Sequence, residues 1–354
     1  MTNVLSASEI QGQSFGKIMD QCCDNLKATL IEAESFELIK RHADFFPVSL
    51  SRFWGFEIPL NGLENSADFL FCISEPLQCF DYFFNTWQAN FSHELPGELF
   101  LPGIRDFSVA WCEAKTLPFK CVVNIWFEYD FQNIQEGILK PNFFYAPAKG
   151  THPFAVVSAS ETIFKTISGS LVSKLAYAHL LHCLHQLPVN GWVSQIGMMF
   201  ARNEHTLRLF IQQIPRNGIK PYLEKIHYRY AADEQFNKLL EDCYQLADQV
   251  DLNIDVSDST GDTIGLECSF NEMQRSLDFL DVLFLKGWCK EQKYHALHEC
   301  LVKMRVEPGK DFQPFFSHFK IVFHPHRPVK TKVYIGYAEK TSASKMIKTK
   351  PLNH

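Results

Sequence analysis

The sequence lacks most of the short motifs that mark common enzyme classes. It has no GxSxG, no Walker-type loop and no dinucleotide fingerprint. That removes the usual signatures of α/β-hydrolases, P-loop nucleotidases and nicotinamide-dependent dehydrogenases. There is no CxxC pair for zinc, and the 11 cysteines are an odd number scattered through apolar stretches. They read as buried free thiols in a reducing compartment, not as a disulfide framework. A basic excess is missing too: 34 Lys and Arg face 40 Asp and Glu, for a formal net charge of −6, so no nucleic-acid partner is expected. No apolar run approaches the roughly 18 residues of a membrane span. The opening MTNVLSASEIQGQSFGKIMDQ has no basic region followed by an apolar one, unlike a secretory signal. A soluble, cytoplasmic, monomeric protein without a membrane partner is expected.

What the chain has is aromatic, alternating sequence. Of its 354 residues 46% are hydrophobic and 32 are Phe, enough for a large core and aromatic-lined surfaces. The clearest stretch is Phe315 to Tyr337, FFSHFKIVFHPHRPVKTKVYIGY, two alternating segments joined by a turn at Pro325, His326, Arg327 and Pro328. In the first, Phe319, Ile321 and Phe323 oppose His318, Lys320, Val322 and His324. In the second, Val333 and Ile335 oppose Lys330, Lys332 and Tyr334. Such period-2 alternation predicts a hairpin with one greasy face and one cationic face.

The same unit recurs. After a helical region over 7–45, SRFWGFEIPL (51–60) sets Trp54, Phe56 and Ile58 against Phe53, Gly55 and Glu57, with Arg52 on the side away from Glu57. An Asn61-Gly62 turn leads to DFLFCIS (68–74), and Pro76 to Phe91 reads as a helix. A second pair is predicted from Arg105–Glu113 and Phe119–Phe131, with Lys120, Asn124, Trp126, Glu128 and Asp130 on the polar face of the longer strand. Residues 132–160 read as an irregular connection, and Thr162–Leu187 as one helix stopped by Pro188. The third pair is Gly191–Ala201 and Thr206–Gln213, turned through residues 202–205, with Arg208, Phe210 and Gln212 on one face. After a helical region over 217–248 comes a fourth pair, Val250–Val256 and Thr263–Phe270. There Asp251, Asn253 and Asp255 share a face, as do Gly265, Glu267 and Ser269. A helical region over 271–305 precedes the final hairpin, and the polar, basic tail from Lys340 to His354 is expected to fray.

The expectation is an α+β fold of about five helix–strand–turn–strand repeats in one domain over 1–339. Hairpin-joined strands are antiparallel. Closing about ten of them puts the helices outside, the polar faces inside and leaves room for a substrate. An open sheet covered on one face is the structural alternative.

This pattern resembles the ABBA-type aromatic prenyltransferases, including dimethylallyl-tryptophan synthases and cyanobactin peptide prenyltransferases, whose ten-stranded barrel is built from α-β-β-α units. The likeness runs from residue 7 to about 338. Lys330-Thr331-Lys332-Val333-Tyr334 resembles the family's basic-x-Lys-x-Tyr strand, which holds the donor diphosphate. Glu57 resembles its first-strand acid, which orients or deprotonates the acceptor. The resemblance implies transfer of an isoprenyl group from dimethylallyl or geranyl diphosphate to an aromatic small molecule or a peptide side chain. The alternative is a non-catalytic barrel that binds a peptide or hydrophobic ligand as an accessory in natural-product maturation.

Transfer chemistry needs fixed cations and hydrogen-bond donors for a departing diphosphate. Lys332, Lys330, Tyr334, Lys320, Arg208 and Lys120 have the inward parity. It also needs aromatic faces to tolerate an allyl cation away from water, for which Trp126, Phe210 and Tyr334 are candidates. A carboxylate must take the acceptor proton; Glu57 comes first, then Glu267, with Glu128 and Asp251 behind. No cofactor is required, although Asp251 and Asp255 have the hard oxygens that suit a magnesium ion carried with the diphosphate. The His-rich runs at 179–185 and 295–298 fall on helices with spacing that does not converge four ligands, so no metal centre is expected there.

Overall fold

The structure is a computed structural model that describes residues 13–23, 26, 30–62, 66–86, 100–131, 141–169, 172–200, 206–306 and 312–339. Ten strands close into one antiparallel barrel: β1 (Phe53–Pro59), β2 (Asp68–Ile73), β3 (Val122–Tyr129), β4 (Pro141–Pro147), β5 (Trp192–Met198), β6 (Leu207–Gln212), β7 (Gln249–Val256), β8 (Thr260–Ser269), β9 (Phe312–His324) and β10 (Arg327–Glu339). Each strand pairs with its neighbours in sequence, and β10 returns to pair with β1. Among the described residues the β7–β8 and β9–β10 links are short hairpins at one end of the barrel, and the links from even to odd strands carry helices at the other.

The helices lie on the outer, apolar faces of the strands. They are α1 (Phe15–Cys22), α2 (Ala33–Ala43), α3 (Pro76–Phe80), α4 (Phe100–Cys112), α5 (Leu117–Cys121), α6 (Pro153–Ser168), α7 (Lys174–His185), α8 (Arg216–Lys225), α9 (Glu234–Leu246), α10 (Met273–Leu285) and α11 (Glu291–Val306). Their buried residues follow the helical period: Val156, Ala159, Ile163 and Ile167 on α6, and Phe236, Leu239, Leu240 and Cys243 on α9. Against them lie the apolar alternate residues of each strand, so that Trp54, for example, stacks on Tyr337 at 4.4 Å between ring centroids. Burying one side of an alternating strand under helices leaves its other side to the lumen.

Five expectations are corrected. Arg105–Glu113 is not a strand but the body of α4. Ile104, Phe107, Ser108 and Trp111 are buried at spacings of three and four, the face of a helix. The partner of β3 is instead β4, PNFFYAP, inside the segment read as irregular; its seven residues are all buried. The long second-pair strand starts at Val122 and not at Phe119, because Thr116 caps α5 by accepting from the Phe119 N–H. The single helix read over Thr162–Leu187 is two, α6 and α7. Gly169 ends the first with φ of 63°, and Ser173 starts the second by accepting from the Ala176 N–H. The last hairpin turns through residues 325–326 alone, with strand resuming at Arg327. The turn expected at 202–205, the end of the helix expected over Pro76–Phe91, and the tail from Lys340 lie outside the described residues.

Candidate functional site

The lumen collects side chains from far-apart hairpins. Glu57, on β1, is 2% exposed and is paired across the sheet with Tyr334 on β10. Lys332 and the Tyr334 hydroxyl both donate to its carboxylate, one to each oxygen. Burial opposes the charge of Lys332, and Glu57 and Asp68 outweigh it, holding the ammonium above its ordinary range. Arg208 on β6 makes a two-pronged contact with Asp255 on β7, at 2.7 and 2.9 Å. Lys320 on β9 lies 3.4 Å from Glu267 on β8. Burial lowers the Lys320 pKa, against the pull of Glu267 and Glu57.

Aromatic rings surround these charges. Lys320 Nζ sits 5.2 Å from the centroid of Phe210, within cation–π range. His318 stacks on Tyr334 at 4.2 Å, and its Nε2 is 3.6 Å from Glu267, too far for a hydrogen bond. Burial lowers the His318 pKa, favouring the neutral ring. Trp126 packs edge-on to Phe53 at 5.0 Å.

Toward the helix end the lumen opens into a cavity of about 370 Å³, within the ordinary range for small-molecule sites. Phe53, Trp126, Phe144 and Phe210 line one part of it, and Gln212, Asp251, Glu267, Ser269, His318 and Tyr334 another. Two glycines clear space for rings. A Cβ at Gly197 would overlap the Phe144 ring across the β4–β5 pair, and one at Gly336 would overlap Phe315.

The structure thus brings together Glu57, Glu267, Lys332, Tyr334, Lys320, Arg208, Trp126 and Phe210. It does not bring in Lys120, which is exposed on α5 because the strand begins two residues later. Lys330 is exposed near the final hairpin. Arg52 faces outward, 63% exposed beside Glu339. Asp251 and Asp255 do not form an ion cradle, since Asp255 is taken by Arg208 and Asp251 accepts from Gln213 N–H and Gln249 Nε2. Among the described residues, the carboxylates whose oxygens do converge, all within 4.8 Å of one another, are Glu57, Asp68 and Glu128, a donor set suited to a hard divalent cation. Burial, with Glu57 next, raises Asp68 well above the usual carboxyl range. Sequence reasoning passed over His318 and Asn253, which donates to Glu267 at 3.3 Å. Their parity with Lys320 and Asp251 was the available signal.

No protein-family model and no curated protein sequence matches the chain. Solved structures do match its fold, and the fold is that of the aromatic prenyltransferases. AnaPT from Neosartorya fischeri superposes with a TM-score of 0.54 at 10% identity, over 94% of each chain. The prenyltransferase PriB in complex with product diphosphate gives 0.55 at 10% identity, over 91% of this chain and 96% of that one. The 5-dimethylallyltryptophan synthase of Streptomyces coelicolor gives 0.51 at 8% identity, over 92% and 97%. Among the described residues no helix is long and apolar enough to cross a membrane.

Proposed function

We propose that this protein transfers an isoprenyl group from dimethylallyl or geranyl diphosphate to an electron-rich aromatic small molecule or peptide side chain. The observation that carries the reading is the clamp on Glu57. A buried carboxylate held by Lys332 and Tyr334 stands beside an aromatic-lined cavity inside a closed barrel of this fold. PriB, which shares the fold, has been captured with L-tryptophan and dimethylallyl thiolodiphosphate.

In this reading Lys332, Lys320, Arg208 and the Tyr334 hydroxyl receive the diphosphate, Lys332 exchanging a carboxylate oxygen for a phosphate oxygen. The allylic C–O bond breaks and its electron pair leaves with the diphosphate, whose growing charge these groups stabilise. Phe210, Trp126 and Tyr334 offer π-faces to the allyl cation and keep water away. A ring carbon of the acceptor forms the new C–C bond. It then gives up its proton to Glu57, which restores aromaticity. A magnesium ion arriving with the diphosphate would meet Glu57, Asp68 and Glu128, and the proton transfer does not need it.

One observation favours the second reading, a barrel that binds a ligand without a donor. Each of the three lumen cations Lys332, Lys320 and Arg208 is already matched by a carboxylate. Incubation of the full chain with dimethylallyl or geranyl diphosphate and indole, phenol or peptide acceptors separates the two. Diphosphate release that Lys332→Ala abolishes, with the fold intact, supports transfer. No release and no measurable diphosphate affinity supports the binding barrel.

A further inference from the structure

The cavity wall is chemically lopsided. Three of its lining residues are carboxylates, Glu128, Asp251 and Glu267, and none is Lys or Arg. Two of the three lumen cations are drawn away toward the hairpin end, where Arg208 faces Asp255 and Lys332 faces Glu57. The sheet register sharpens this. Asp251 is paired directly with Glu267 across β7 and β8, Glu267 with Lys320 across β8 and β9, and Lys320 with Lys332 across β9 and β10. The row therefore runs negative, negative, positive, positive, with its negative end at the cavity. Like charges directly opposite one another destabilise a sheet, and Lys320 reaches only the second of the two. Asp251 keeps neutral partners, the Gln213 N–H at 3.1 Å and Gln249 Nε2 at 2.6 Å. Burial and Glu267 push its carboxyl up to about 6, against those two hydrogen bonds. A further polar atom waits at the same wall: His318 Nε2 is out of solvent contact and has no hydrogen-bond partner.

We infer that the molecule this cavity takes up is an organic cation: a protonated amine carried on an aromatic or apolar body. The nitrogen sits against Asp251 and Glu267, where it relieves the repulsion between them. The body lies on Phe53, Trp126, Phe144 and Phe210, whose faces also attract positive charge. A carboxylate on the ligand would find no Lys or Arg in the wall, and the Lys320 behind it is already matched to Glu267, so an anion and a zwitterion are both disfavoured. The inference rests on the transfer reading only in calling this molecule the acceptor.

The test is calorimetry on the full chain without diphosphate, using four probes that share an indole body. These are tryptamine, 3-methylindole, indole-3-propionate and L-tryptophan. At pH 7.5 tryptamine is expected to bind about tenfold tighter than 3-methylindole, a difference of about 1.4 kcal/mol. L-tryptophan should be weaker than tryptamine, and indole-3-propionate undetectable. Glu267→Gln and Asp251→Asn should each erase most of the tryptamine advantage over 3-methylindole. Should Glu267→Gln fail to fold, Asp251→Asn carries the test, since its carboxylate holds only neutral donors. Equal binding of tryptamine and 3-methylindole, or tighter binding of indole-3-propionate, overturns the inference. With dimethylallyl diphosphate added, tryptamine binding without diphosphate release overturns the transfer reading and leaves this one standing. Release that needs an anionic acceptor does the reverse.

Discussion

At the hairpin end of the lumen each of the three cations meets a carboxylate: Lys332 with Glu57, Arg208 with Asp255, and Lys320, a little deeper, with Glu267. At the helix end the wall carries rings, amides and carboxylates but no Lys or Arg. The first region is self-satisfied and the second asks for a ligand. Partly buried ion pairs gain little net stability over an apolar core, yet losing one partner leaves a charge stranded. The hairpin end is therefore rigid and dependent on every member, whereas the helix end tolerates change and sets what binds. Glu57, Tyr334 and His318 lie where the two regions meet, which is where donor and acceptor would have to touch.

That contrast breaks most sharply at Glu57. Under the proposed function, Glu57→Gln keeps the shape and removes the base. Diphosphate release with an aromatic acceptor should then fall by about 10²–10⁴-fold in chains still folded at the assay temperature, beside the lower melting point that stranding Lys332 brings. A fall of less than fivefold would move the proton to another group. Next comes Arg208→Met, which strands Asp255 and should cost about 3 kcal/mol of unfolding free energy by urea titration. The double variant Arg208→Met, Asp255→Leu should recover most of that loss. Equal losses in the single and double variants would mean the pair is not the unit that matters.

The helix end responds to pH. Asp251 binds its proton more tightly folded, with a pKa of about 6, than an ordinary Asp, at about 3.9. Its contribution is therefore most favourable below about pH 4 and is lost as pH rises through about 6, by about 3 kcal/mol. Asp251→Asn should remove this component. The variant gains on the parent between pH 4 and pH 7, measured as paired urea midpoints, and a difference independent of pH would contradict it. The smallest expected effect is at Gly197. An added methyl there collides with the Phe144 ring, so Gly197→Ala should cost about 2 kcal/mol. Phe144→Leu in the same chain should restore part of it, since a shorter side chain can clear the strand.

The barrel was largely legible because a strand with helices on one side and a lumen on the other must alternate, as Trp54, Phe56 and Ile58 do against Phe53, Gly55 and Glu57. Where that logic weakens, reading failed. Arg105–Glu113 alternates by accident, and only the joint spacing of Ile104, Phe107, Ser108 and Trp111 betrays a helix. PNFFYAP hid as a loop because prolines bound it and both its faces are buried, so that Asn142 alone hints at a polar face. Among site residues, parity placed Lys332, Tyr334, Arg208 and Glu267 in one lumen. It could not tell that Lys120 precedes the strand, since the Thr116 cap starts α5 and places Lys120 on that helix turn. Nor does parity reveal who pairs with whom. The matching of each cation to a carboxylate depends on register and shear around the closed sheet, which no local pattern contains.

The joint between β10 and β1 has a consequence for how the molecule comes into being. Glu57 and Lys332 stand 275 positions apart in the chain, yet they meet as near neighbours only once the last strand docks on the first. Until then β1 presents an open edge, and the clamp on the acid does not exist. A nascent or shortened chain thus lacks the clamped acid on which the proposed chemistry depends, however well its early hairpins have formed.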